Sequence, residues 1–135
     1  MVKVIMHGCN GHMGQVITGL IAKDENAQIV AGIDMVDNRD NGYPVFTNIK
    51  ECQVEADVMI DFSSFKATDG VLDYCVERQL PLVLCTTGLT EEQLSKMKEC
   101  STKVAILKSA NMSLGINLMV ELCKMATKVF ANHGD

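Results

Sequence analysis

The chain has 135 residues, with 12 Lys and Arg against 17 Asp and Glu, a net charge of −5. That length fits one domain with a true core, and 47% hydrophobic with 21% charged residues excludes a disordered chain. The acidic balance, and 4% aromatic residues with no Trp, exclude a broad nucleic-acid footprint or a base-stacking platform.

Along the chain, short β-rich runs alternate with helical patterns. Residues 2–7 form an apolar strand bounded by Gly8. Met13, Val16, Ile17, Leu20 and Ile21 then mark one face of a helix. A second strand spans 28–34, and a short extended piece at 43–46 follows the polar turn at 38–42. Residues 58–62 read as a buried strand, and 66–78 as a helix with a stripe through Val71, Leu72, Cys75 and Val76. Another strand at 82–85 precedes a helix started by Thr90, with Gln93 at capping-box spacing. A strand at 104–107 and an amphipathic helix over 113–130 complete the pattern. Strands separated by helices predict an α/β fold, a Rossmann-like doubly wound parallel sheet.

The segment Gly8-Cys9-Asn10-Gly11-His12-Met13-Gly14 follows a strand and opens a helix, the setting a dinucleotide fingerprint needs. Gly8 allows the tight turn, Gly11 a close backbone approach to a diphosphate, and Gly14 close packing of helix on strand. The N–H groups near Gly11, His12 and Met13, at the positive helix end, then bind the diphosphate. The spacing is GxxGxxG, and a plain glycine-rich turn is the competing reading. Asp34 ends the second strand about 20 residues on, where a carboxylate accepts hydrogen bonds from an adenosine ribose. A turn-initiating Asp is the alternative there. That carboxylate repels a ribose 2′-phosphate unless a cation compensates, and Arg39 lies close in sequence.

Thr86-Thr87-Gly88 and Ser109-Ala110-Asn111-Met112 each follow a strand, as Ser63-Ser64 does more loosely, at the edge where doubly wound sheets bind ligands; ordinary turn chemistry is the competing reading of each. His7 reads as structural, and His12 as a candidate cofactor contact. The six cysteines, at 9, 52, 75, 85, 100 and 123, have no C-x-x-C spacing and read as reduced core residues of a cytoplasmic protein. No metal-ligand spacing is present. The first residues show no secretory leader pattern, and the longest apolar runs fall far short of the roughly 20 residues a membrane span needs.

Taken together, Gly8–Gly14, Ile60-Asp61-Phe62-Ser63, Thr86-Thr87-Gly88-Leu89 and Asn111-Met112-Ser113-Leu114-Gly115-Ile116-Asn117 resemble dihydrodipicolinate reductase. That lysine-pathway enzyme is also called 4-hydroxy-tetrahydrodipicolinate reductase. The resemblance runs the length of the chain but matches only that family's N-terminal, cofactor-binding domain, so residues 1–135 are expected to be that domain.

It implies hydride transfer from NADH or NADPH to a cyclic unsaturated dicarboxylate made from aspartate semialdehyde and pyruvate. By motif match, Gly8, Cys9, Asn10, Gly11, His12 and Met13 hold the diphosphate and Asp34 the ribose. Cys85, Thr86, Thr87 and Gly88 line the nicotinamide half, and Ser109, Ala110, Asn111 and Met112 lie near the nicotinamide and the hinge to a second domain. Met35 replaces the basic residue that many members carry after the ribose acid, which favours NADH. His12 stands where Arg or Lys is common, Phe65 replaces a Pro, Cys85 a Gly and Met112 a Phe.

The family's proton donor and dicarboxylate-binding region, and its tetramer-forming sheet, are expected beyond Asp135. This chain is therefore expected to bind cofactor without turnover. A homotetramer is implied for the full-length family but not for this fragment, and neither a nucleic-acid nor a membrane partner is expected. Two other readings compete: half of an aspartate- or homoserine-type dehydrogenase, and a free-standing redox-sensing module docking through the last helix.

Overall fold

Six strands and three α-helices alternate along residues 1–109, the part of the chain that the computed structural model describes. The strands are β1 (Val2–His7), β2 (Ala27–Ile33), β3 (Val45–Phe46), β4 (Val58–Asp61), β5 (Leu82–Leu84) and β6 (Ile106–Lys108). The helices are α1 (His12–Ile21), α2 (Thr68–Arg78) and α3 (Glu91–Cys100). Every pairing is parallel, in the order β3-β2-β1-β4-β5-β6. This is the doubly wound, Rossmann-like α/β sheet expected from the alternation of elements.

Alternating side chains of the central strands serve two cores. Val4 and Met6 pack with Ile17 and Ile21 of α1, whereas Ile5 packs with Val71, Leu72 and Cys75 of α2. From Val4 onward β1 is buried on both faces, as is β4, so Val4-Ile5-Met6 and Val58-Met59-Ile60 run apolar without alternation. The chain leaves β1 toward β2 and β3, then returns to the other side of β1 as β4. The order reverses at β1, and the carboxyl ends of β1 and β4 open a crevice there.

Several boundaries differ from the sequence expectation. The extended piece after the polar turn narrows to Val45–Phe46, because only these residues pair with Gly32 and Ile33. The helix expected from residue 66 begins with a 3₁₀ turn, Phe65–Ala67, and becomes α-helical at Thr68. A second 3₁₀ turn, Ile49–Glu51, has no apolar periodicity to announce it; the Asn48 side chain accepts from Lys50 N–H and caps it. The last strand lies later than expected, at Ile106–Lys108, where it finds Leu82–Leu84 as partner. The helix expected over 113–130 lies outside the described residues.

Candidate functional site

The glycine turn begins at the end of β1. Gly8 has φ +83°, and a Cβ there would collide with the Phe62 backbone across the crevice. Gly14 has no room for a side chain either, since its Cβ would strike the carbonyls of Gly8 and Cys9. These two glycines let α1 start directly above the sheet edge. Gly11 differs: its backbone is extended, and a Cβ would meet only Gly8 O at 3.5 Å, an ordinary contact. The fold does not demand glycine at this exposed position.

Gly11 is the N-cap of α1, and no side chain caps the helix. The first-turn N–H groups, those of His12 and Met13 among them, have no intrahelical acceptor. They present a positive end toward the crevice. Asp34, one residue past β2, is tied to the same turn: Asn10 N–H donates to its Oδ2 at 2.8 Å. Met35 N–H donates to Oδ1 at 2.7 Å. Each carboxylate oxygen keeps a further lone pair for a ligand. The Asn10 side chain donates to Val36 O at 2.8 Å and accepts from Asn41, which in turn accepts from Gln15 of α1. The turn, the loop after β2 and α1 are thus held as one unit.

A cavity of about 770 Å³ occupies the crevice. Gly8, Asn10, Gly11 and Asp34 line it from one side, and Ser63 and Lys66 from the segment after β4. The structure therefore brings together most of the expected diphosphate and ribose group.

His12 lies exposed and Met13 half-buried in the first turn of α1, outside that lining. Cys9 and Cys85 point into the core, so what they offer a ligand is backbone. Burial, then the Asp34 charge, pushes the Cys9 thiol up to about 11; burial, then Asp61, pushes Cys85 up to about 12. Neither is a ready nucleophile. Thr87 and Gly88 are exposed at the end of β5, with Gly88 at φ +78°. Ser109 follows β6, its N–H donating to Leu84 O at 3.0 Å. These residues share the carboxyl edge of the sheet but do not line the cavity. Ala110, Asn111 and Met112 lie outside the described residues.

Sequence reasoning left Asp61 without a role. Its carboxylate is fully buried at the end of β4. It accepts from Ser63 Oγ at 2.6 Å and from Thr86 Oγ1 at 2.9 Å, and lies 2.9 Å from His7 Nδ1. Ser63 N–H also donates to Thr86 Oγ1 at 3.0 Å. A buried carboxylate is tolerable only when its lone pairs are matched in this way. Thr86 therefore acts through Ser63, fixing the cavity floor from behind. An acid closing an otherwise apolar strand run was the available signal.

An uncapped helix start, a turn in which two glycines are forced and a third is not, and a pinned carboxylate beside them fit a dinucleotide diphosphate and its ribose. Together with the sheet order they define a Rossmann-type α/β domain. Residues 2–112 match the family described as dihydrodipicolinate reductase, N-terminus, and the chain belongs to that family.

Its relatives include the 4-hydroxy-tetrahydrodipicolinate reductase of Clostridium novyi (strain NT), 48% identical over 92% of this chain and 49% of the relative. That of Clostridium tetani is 44% identical over 95% of this chain and 50% of the relative. The chain thus spans about half the length of these curated relatives. In fold it resembles a dipicolinate-bound dihydrodipicolinate reductase from Paenisporosarcina sp. TG-14, with TM-score 0.72 and 24% identity over 93% of this chain and 53% of that one. A homoserine dehydrogenase of S. aureus shares the fold more distantly, at TM-score 0.65 and 12% identity over 80% of this chain and 31% of that one. The homoserine-type alternative thus reflects a shared architecture, whereas the family match is to the reductase.

Proposed function

We propose that this chain is the cofactor-binding half of a 4-hydroxy-tetrahydrodipicolinate reductase, holding NADH or NADPH for hydride transfer in lysine and diaminopimelate biosynthesis. One observation carries the reading: the Asn10 N–H to Asp34 hydrogen bond of 2.8 Å, which sets a ribose-binding carboxylate against an uncapped helix start inside one cavity. When bound, the cofactor supplies the hydride. Gly8 to Met13 hold the diphosphate: the N–H groups of Gly8, Cys9, Asn10 and Gly11 are taken within the fold, so those of His12 and Met13 donate to it, and Asp34 receives the ribose hydroxyls. Cys85, Thr86, Thr87, Gly88 and Ser109, with Ala110, Asn111 and Met112, serve the nicotinamide end.

Residues 1–135 act as the dinucleotide-binding domain. The other half of the relatives' length supplies dicarboxylate binding, proton donation and the tetramer interface. The dipicolinate in the Paenisporosarcina structure supports a dicarboxylate substrate. NADH is favoured, because Met35 brings no cation to Asp34. The setting is the cytoplasm; among the described residues no helix is long and apolar enough to cross a membrane.

Calorimetric titration with NADH and NADPH tests this. NADH is expected to bind, and Asp34→Ala to weaken it by about 1 kcal/mol or more, roughly fivefold. A folded chain that binds neither nucleotide overturns the reading.

A further inference from the structure

Two loops at the carboxyl edge of the sheet are joined by a side chain that lies outside the cavity. The turn after β4 brings Ser63, Ser64, Lys66 and Ala67 to the cavity wall. Its first end is held by Thr86, whose Oγ1 accepts from Ser63 N–H at 3.0 Å. Its middle is held by Gln93 of α3, whose Nε2 donates to Phe65 O at 2.6 Å. The Oε1 of the same amide accepts from Thr90 N–H at 3.0 Å and completes the cap of α3. Thr86 and Thr90 bound the loop that carries Thr87 and Gly88, so that loop is fastened to the turn after β4 at both of its ends. Gln93 is buried and does not line the cavity. Lys96 also bridges α3 to α2, 3.0 Å from Asp73 Oδ1 and 3.6 Å from Asp69 Oδ1. Those carboxylates are exposed, and such pairs hold weakly. The buried amide is the firmer tie.

We infer that Gln93 is a positioning residue for the cofactor: without touching it, the amide sets where the turn after β4 stands and makes that turn move with the Thr87-Gly88 loop. The inference rests on the cofactor reading above, in which that loop serves the nicotinamide end, and adds a residue that acts through Phe65. The cap of α3 uses only the acceptor of the Gln93 side chain, and a glutamate would supply that equally well. The donor is the part that reaches the crevice wall. A wall held in place before the ligand arrives removes an ordering step that binding would otherwise require.

The test compares Gln93→Glu with Thr90→Ala by NADH titration, with thermal melts to establish that each is folded. Gln93→Glu keeps the oxygen that caps Thr90 N–H and sets a second, repelling oxygen against Phe65 O. Thr90→Ala weakens the cap and leaves the amide on Phe65 O. Gln93→Glu is expected to raise the NADH dissociation constant about tenfold. Thr90→Ala is expected to melt lower yet to bind NADH within about twofold of the wild type. Deuterium exchange reads the coupling itself: NADH should slow residues 63–67 and 87–90 together in the wild type, and no longer together in Gln93→Glu. If Gln93→Glu does not fold, Gln93→Met, which loses both bonds at similar size, takes its place, with Thr90→Ala accounting for the lost cap. A folded Gln93 variant that binds NADH within twofold of the wild type overturns the proposal. So do equal losses of affinity in the Gln93 and Thr90 variants, which would make Gln93 a helix cap alone. Either result leaves the cofactor reading standing, because the wild type still binds. A folded wild type that binds neither nucleotide removes both.

Discussion

Gly11 and Gly14 lack a side chain for different physical reasons, and a pair of substitutions separates them. A methyl at 14 meets fixed backbone carbonyls, whereas one at 11 meets almost nothing. Gly14→Ala is therefore expected to cost about 2 kcal/mol of stability as helix and strand are forced apart. Gly11→Ala should stay within about 1 kcal/mol in denaturant melts, yet weaken NADH binding about tenfold by holding the diphosphate off the N–H groups. A destabilised Gly11→Ala protein with intact affinity would show that this glycine serves the fold.

At the scale of elements, α3 shows how much a local pattern fixes. Thr90 Oγ1 accepts from Gln93 N–H at 3.1 Å, and the Gln93 side chain accepts from Thr90 N–H at 3.0 Å, the reciprocal box its spacing predicts. The Gln93 amide also donates to Phe65 O, tying α3 to the turn that carries Lys66. Thr90→Ala is expected to lower stability by about 1 kcal/mol, read as a shift in the urea midpoint. The strands, the helices and the glycine turn were legible because hydrophobic period and glycine placement are local properties. What escaped is non-local. The chain just past the Ile49–Glu51 turn is held by long-range bonds, from Tyr74 Oη to Cys52 O at 2.6 Å and from Arg78 to Val54 O at 2.7 Å. Asp61 gains its role only when β1 and β5 bring His7 and Thr86 to it. The ends of β3 and β6 depend on where a partner strand stops. Likewise Lys66 belongs to the site only because the strand order reverses at β1.

The molecule as a whole carries thiols and phenols that burial keeps neutral. The Cys9 thiol is pushed up to about 11, Cys85 to about 12, and the Tyr43 phenol to about 12, with burial as the first cause each time. An unfolded chain ionises its thiols from near pH 9, earlier than the native one does. Stability from these groups is thus fully present below pH 9 and is lost as pH rises toward 11 and 12. Thermal melts are expected to hold a plateau from pH 7 to 8.5 and to fall steeply above 9.5. Alkylation of Cys9 and Cys85 at pH 8 should require unfolding. Rapid labelling of these two residues in the native chain would contradict the burial of both.

The reversal of strand order at β1 has a mechanical side. The sheet is two unequal leaves, β2 and β3 on one flank and β4 to β6 on the other, joined along a single hinge strand. A dinucleotide in the crevice would grip one leaf at Asp34 and the other at Ser63, working as a rivet. Backbone amides of β4 that bond to β1 should then exchange with deuterium more slowly when NADH is present, while those between β5 and β6 change little. Slowing confined to the loop after β2 would mean that the ligand holds one leaf only.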